Sequence, residues 1–264
     1  MSGWITHADC KGLEPRVLAD RTNCKVLLEI FRDPNRAEHI YEILGEQILG
    51  RKVIKYDVSG AKTKDYNLAK EIILATNYNA AWRTLQARLA NQGIEQSDEN
   101  CKGFIQSYLG RLAPEVKDYI WSQRRLVVRD QQITCLTGFV NYLPNEGTEG
   151  EGFKHTWNQA VNVEIQHTAS MIAILWMNLI QRMLRKEGLT HRDVHAVDTV
   201  LLGPVHDSVT HDVRTKRIAT RMLEIYKEAL TWAEGAPMVA LIGRRLIVPL
   251  DVDVAMAADW EACK

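Results

Sequence analysis

The chain has 264 residues, 46% hydrophobic and 25% charged, the average for globular proteins. This excludes disordered and fibrous classes and leaves room for one large core or two smaller ones. Lys plus Arg and Asp plus Glu number 33 each, so a stand-alone polyanion binder is not expected unless acids gathered at one place offset bases elsewhere, or part of the grip belongs to a different polypeptide. The five cysteines are odd in number and lack paired short spacings, which argues against a disulfide framework or a structural zinc site. His191 and His195 flank Asp193 at helical spacing, but their polar surroundings read as a solvated loop. The longest apolar stretch, Met171 to Met177, falls short of the ~20 residues of a bilayer span, so no membrane partner is expected. The first residues lack a basic segment followed by an apolar one, so no secretory signal is expected and the location should be cytoplasmic.

Taken in chain order, Trp4 to Ala8 predicts a short strand that delivers Asp9 to its end. Gly12 then turns the chain, and Pro15 suits the first turn of a helix running from Leu13 or Glu14 towards Asp20. Ala37, Ile40, Tyr41, Leu44 and Ile48 recur at helical spacing, and a basic stretch follows from Arg51 to Lys64. Leu68, Ile72, Ala75, Tyr78, Trp82 and Leu85 predict one long helix to about Ala90, with further helices over 98–109 and 114–123. Leu126 to Leu143, broken at Asp130 and Gly138, reads as a hairpin, and 145–152 as a loop. Residues 153–187 predict one long helix or two abutting ones, closed by Gly188. Val197 to Val213 predicts two strands with His206-Asp207 at the tip between them. Residues 217–234 read as helix and 245–256 as strand. Strands cluster at both ends and helices in the middle.

Two islands, Asp9-Cys10-Lys11-Gly12-Leu13-Glu14-Pro15-Arg16 and Val205-His206-Asp207-Ser208, place acids at the ends of apolar runs nearly two hundred positions apart. Each acid alone reads as a turn former or helix cap. Between them, Lys70, Leu74 and Tyr78 fall on one helical face, which alone reads as an ordinary amphipathic helix. Thr137 to Pro144, Asn162 and Gln166 with His167-Thr168-Ala169-Ser170, and Val248 to Val254 with Asp259-Trp260 complete the series.

In this order the segments resemble family A DNA polymerases. The first island is similar to Asp-x-x-x-x-Glu-x-Arg, the second to Val-His-Asp-Glu, and the helix to Lys-x-x-x-Phe-x-x-x-Tyr-Gly. The spacing from Leu175-Trp176 to Gly188-Leu189 is similar to that of podovirus replicative polymerases. The resemblance implies an α+β fold: an antiparallel palm sheet built from both ends of the chain (1–34 and 131–264) with a helical fingers insertion (35–130). It implies DNA-templated nucleotidyl transfer from a dNTP to a primer end, with primer-template DNA and dNTPs as partners. Two Mg²⁺ ions would be held by Asp9, Asp207 and the Cys10 carbonyl, since such transfer needs paired carboxylates more than covalent chemistry.

Further roles follow from the same resemblance. Lys70 would contact the triphosphate and protonate the leaving group, Leu74 would pack on the incoming sugar and base, and Tyr78 would lie beside the templating base. Glu14 would close against the sugar C2′ position, and Arg16 would act as a supporting ion-pair partner. Asn162, Gln166 and His206 would meet DNA. Several positions depart from the pattern: Asn79 replaces a glycine, Leu74 an aromatic, and Tyr66 an arginine that grips the triphosphate, for which Lys62 and Lys64 are the substitutes. Ser208 replaces a glutamate, as in single-subunit RNA polymerases, so an RNA-making relative is the alternative that Glu14 argues against; a DNA-binding or assembly module without turnover is another. Only eight residues precede Asp9, where the family carries a thumb and primer grip, so a second polypeptide supplying these, and possibly a 3′–5′ exonuclease, is expected.

Overall fold

The computed structural model describes residues 3–144, 151–190 and 198–263. His191, Asp193 and His195, and most of the predicted 145–152 loop, lie outside them. The chain forms two compact units. One comprises Met1–Val17, Leu136–Phe139 and Ile165–Lys264; the other comprises Leu18–Cys135 and Val140–Glu164.

The first unit is built on a four-stranded antiparallel sheet of β1 (Trp4–Cys10), β4 (Thr199–Val205), β5 (Ser208–Val213) and β6 (Val252–Ala257), in the order β4-β5-β1-β6. Alternation along β1 sends Thr6, Ala8 and Cys10 to a buried face and leaves Asp9 on the other. Helix α10 (Lys216–Ala233) buries Ile218, Met222, Ile225, Tyr226 and Ala229, a helical stripe, and its start is capped by Thr215, whose hydroxyl accepts from the Ile218 amide at 3.3 Å. The short helix α11 (Ala236–Ile242) follows. A polar chain crosses this core. Gln181 Nε2 lies 3.1 Å from His211 Nε2, His211 Nδ1 2.9 Å from the Tyr226 hydroxyl, and that hydroxyl 2.8 Å from Thr6 Oγ1. Because the Gln181 amide nitrogen can only donate, His211 accepts at Nε2 and donates at Nδ1, the neutral tautomer. Burial pushes His211 down to about 4, which keeps it in that form.

The second unit is helical: α2 (Lys25–Phe31), α3 (Pro34–Ala37), α4 (Ile40–Leu49), α5 (Lys64–Asn77), α6 (Trp82–Asn91), α7 (Asp98–Ser107) and α8 (Pro114–Asp130), plus a small hairpin of β2 (Gln132–Thr134) and β3 (Val140–Tyr142). Leu68, Ile72 and Ala75 of α5 pack with Leu85 and Leu89 of α6 and Cys101 of α7. Gly45 lets α4 press on α5, since a Cβ there would stand 2.6 Å from the Ala69 Cβ. The helices α1 (Leu13–Thr22) and α9 (Glu151–Lys186) have residues in both units.

The local differences from the sequence reading have physical causes. The single helix predicted over 68–90 is two, because Asn79 takes a left-handed φ of 60° and ends α5. Apolar spacing continues across that break and conceals it. The apolar run Leu126-Val127-Val128, read as strand, closes α8 instead: Val127 is buried and Val128 exposed, as on a helix. Residues 245–251, which include Pro249, precede the C-terminal strand rather than joining it. The mixed helix and antiparallel-sheet architecture, with the sheet drawn from both ends of the chain, is as the sequence implied.

All five cysteines are free and buried. Burial lifts each thiol above its ordinary range, Cys135 to about 11 and Cys24 to about 12. Among the described residues no helix is long and apolar enough to cross a membrane.

Candidate active site

Asp9 lies near the end of β1, opposite Ser208 of β5 on one side and Asp253 of β6 on the other. Two residues, His206 and Asp207, connect β4 to β5. His206 takes a left-handed φ of 55°, a conformation in which histidine is among the more tolerated residues. The turn is tied to the strand beside it, because the Cys10 amide donates to the Asp207 carbonyl at 3.1 Å. This brings the Asp9 and Asp207 carboxyls within hydrogen-bonding reach.

The electrostatics follow. Burial first, then Asp207, then Asp253 push Asp9 up to about 6, so two like charges share a site that neither burial nor geometry relieves. Burial and the same two acids, Asp207 and Asp9, raise the Cys10 thiol, whose side chain faces the core. Glu14, in the first turn of α1, is raised by burial and by Asp207 and lowered by His206. Glu14, His206, Asp207, Ala169 and Ser170 line a cavity of about 340 Å³. Arg16 is buried, and its guanidinium donates to the Lys11 and Pro249 carbonyls, the former at 2.8 Å. It therefore fastens the start of α1 to the segment before β6.

Lys11 was not singled out from the sequence. Its ammonium bridges Asp253 at 2.9 Å and Asp251 at 3.3 Å. Asp253 was also missed as a neighbour of Asp9; the alternation Asp251-Val252-Asp253 hinted at an exposed acidic edge, but only strand register places it beside Asp9. Among the described residues no group of three or more His, Cys, Asp or Glu side chains forms a ready-made metal cage.

The other candidates are carried by α5, the stretch before it, and α9. Lys70 sits on α5, its ammonium 5.7 Å from the centre of the Tyr41 ring. Burial, then Lys62 and Lys55, lower its pKa, against Glu71. Leu74 is half-buried on the same helix, and Tyr78 is its C-cap rather than a helical residue. Asn79, after the cap, donates to Asn158 at 2.6 Å and accepts from Arg124. Lys62 and Lys64 are exposed, and Lys64 opens α5. Asn162 and Gln166 stand four residues apart on α9; Gln166 is exposed, while the Asn162 side-chain oxygen is buried without a hydrogen-bond partner.

A model of the family described as DNA polymerase family A matches residues 1–262. The chain belongs to DNA polymerase family A. Among its relatives, the DNA polymerase of Bacillus phage SP01 is 26% identical over 241 residues, which are 90% of this chain and 25% of that protein. The DNA-directed DNA polymerase of Enterobacteria phage T3 is 22% identical over 264 residues, 98% of this chain and 33% of that one. The POL domain of Pol1 from M. smegmatis, solved as a complex with DNA primer-template and dNTP, shares the fold with a TM-score of 0.77 at 19% identity, covering 98% of this chain and 40% of that chain. This family A chain thus spans a quarter to a third of the length of its phage relatives.

Proposed function

We propose that the chain is the catalytic portion of a viral-type DNA polymerase, transferring nucleotidyl groups from dNTPs to a primer 3′-hydroxyl on a DNA template. The sheet-bearing residues 1–34 and 131–264 serve as palm, and 35–130 as fingers. The observation that carries this reading is the convergence of Asp9 and Asp207, with Asp9 pushed up to about 6. A pair of acids whose repulsion makes one of them harder to ionise is a pair suited to a cation. Asp9, Asp207 and the Cys10 carbonyl would hold two Mg²⁺, which accepts few carboxylates alongside backbone, water and phosphate oxygens. Such ions supply a more acidic primer hydroxyl and charge neutralisation for the departing pyrophosphate.

The chain's own residues do the rest. Lys70, a stronger acid than an exposed lysine because of its surroundings, donates a proton to the leaving oxygen, and Lys62 and Lys64 hold the triphosphate in place of the arginine that Tyr66 displaces. Glu14, lining the cavity beside Asp207, closes against C2′ and favours deoxyribose, which supports DNA over RNA synthesis. Leu74 packs on the incoming nucleotide, Tyr78 meets the templating base, and Asn162, Gln166 and His206 contact the primer-template. Arg16 keeps the first acidic loop in place.

A thumb and primer grip come from a second polypeptide acting in the host cytoplasm. The support for this is β4, at the sheet edge, whose Val200, Leu201, Leu202 and Val205 are 40–61% exposed. Natural sheets seldom leave such an edge bare.

The test is primer extension with dNTPs and, separately, rNTPs, by the chain alone and co-expressed with its genomic neighbours. Extension should require a neighbour, prefer dNTPs, and drop by three or more orders of magnitude in Asp9→Ala and Asp207→Ala. Activity surviving in both variants would refute the metal assignment, and a strong rNTP preference would refute the sugar gate.

A further inference from the structure

The basic stretch before α5 folds back on itself. Tyr56 and Lys62 form an antiparallel bridge, the Asp57 amide donates to the Ala61 carbonyl at 2.9 Å, and the Thr63 amide donates to the Lys55 carbonyl at 3.1 Å. Asp57 turns inward on the tip, accepting from the Ser59 and Ala61 amides at 2.8 and 3.1 Å, and Asp65 is taken by Arg51 in a bidentate pair at 2.7 and 2.9 Å. The acids of this hairpin are therefore committed, and its lysines are not.

Two of the nearby lysines, Lys55 and Lys70, stand by a cluster of three tyrosines. The Tyr41 and Tyr66 rings meet edge to face at 6.0 Å. Lys55 Nζ stands 5.9 Å from the Tyr66 centroid and 5.2 Å from that of Tyr56, and Lys70 Nζ 5.7 Å from that of Tyr41. Lys55 and Lys62 both lie close enough to disfavour the charge on Lys70. Among the described residues none of these three ammonium groups has a carboxylate within ion-pairing distance; Glu71, the acid nearest in effect to Lys70, is held by Arg88 at 3.1 Å and Gln92 at 2.9 Å. Aromatic faces support ammonium groups only modestly. Glu42, the acid that acts on Tyr66, is engaged by His39 at 3.1 Å, so three ammonium groups without an ion-pair partner make a receptor for a compact polyanion.

We propose that the hairpin of residues 54–63 is a polyphosphate strap, with Lys55 as a binding residue that joins Lys62 and Lys70 around the triphosphate tail of the incoming nucleotide. This rests on the reading of the chain as a polymerase and adds a contact that reading does not contain. Tyr66, buried against Val53 and Ala69, stands where an arginine was expected by resemblance. Its ring instead carries the strap, so the charge lost at position 66 returns from Lys55. Lys55 and Lys70 stand over the two rings of one aromatic pair, with Lys62 near enough to act on Lys70, rather than forming the stripe that a DNA backbone, with its regularly spaced charges, would need.

Calorimetric titration of the full chain with inorganic tripolyphosphate, with dATP and with a single-stranded oligonucleotide tests the proposal. Lys55→Met and Lys62→Met should each weaken tripolyphosphate and dATP binding about five- to tenfold, Lys55→Arg should restore most of it, and Lys52→Met, an exposed lysine of the same stretch, should change nothing. Melting curves show that each variant folds. Tripolyphosphate binding by Lys55→Met equal to wild type, no tripolyphosphate binding by wild type, or a loss confined to the oligonucleotide would each overturn it. The polymerase reading fails separately, through primer extension; Lys55-dependent tripolyphosphate binding without any extension would leave the strap standing and remove the polymerase.

Discussion

Asp9 works against the fold, and the proposed function gives a reason for keeping it. Its carboxyl, pushed up to about 6, ionises near 3.9 in an unfolded chain, so the native state binds that proton more tightly. For this group the native state therefore bears no penalty below about pH 4 and loses stability as pH rises through 6. In metal-free buffer, Asp9→Asn should raise the melting temperature at pH 7.5 by a few degrees and leave it unchanged at pH 4. Added Mg²⁺ should stabilise wild type more than the variant. A lower melting temperature for Asp9→Asn at pH 7.5 would contradict the assigned strain. Asp9 and Asp207 were legible in the sequence because each depends on local grammar, a strand end and a two-residue turn. Lys11, Asp253 and Lys55 were not, because their partners are set by strand register or by a hairpin that apolar periodicity does not mark.

At the scale of elements, close approach governs the helical unit. Gly45 admits the Ala69 methyl and the Val53 side chain, which seats α4 on α5 and, with it, Tyr41 against Tyr66. Gly45→Ala improves intrinsic helix propensity by about 1 kcal/mol, yet the new Cβ meets a buried neighbour at 2.6 Å, and overpacking of this kind costs about 1–3 kcal/mol. The packing effect should win. Urea denaturation should show the variant less stable, and a gain would mean the two helices part readily. Helix α10 and the tight turn at His206 were readable because their signals are local. The break at Asn79 was hidden because tertiary packing, not periodicity, decides it: Asn79 is held there by Arg124 and Asn158.

At the scale of the whole molecule, balanced charge and an apolar sheet edge are the two features on which the proposed second polypeptide rests. Leu202 is 53% exposed on β4, so Leu202→Glu should keep the chain folded and more soluble while reducing co-purification with the neighbour-encoded polypeptide by about tenfold, roughly 1.4 kcal/mol. Undiminished co-purification would place that partner on another face. The cysteines add a practical consequence. With the Cys135 thiol lifted to about 11, only about one molecule in ten thousand carries the reactive anion there at neutral pH, and the other four sulfurs are likewise sheltered. Alkylating reagents should therefore pass the native chain by and mark it only when it opens, which makes its own sulfur atoms a clock for how often this fold comes apart.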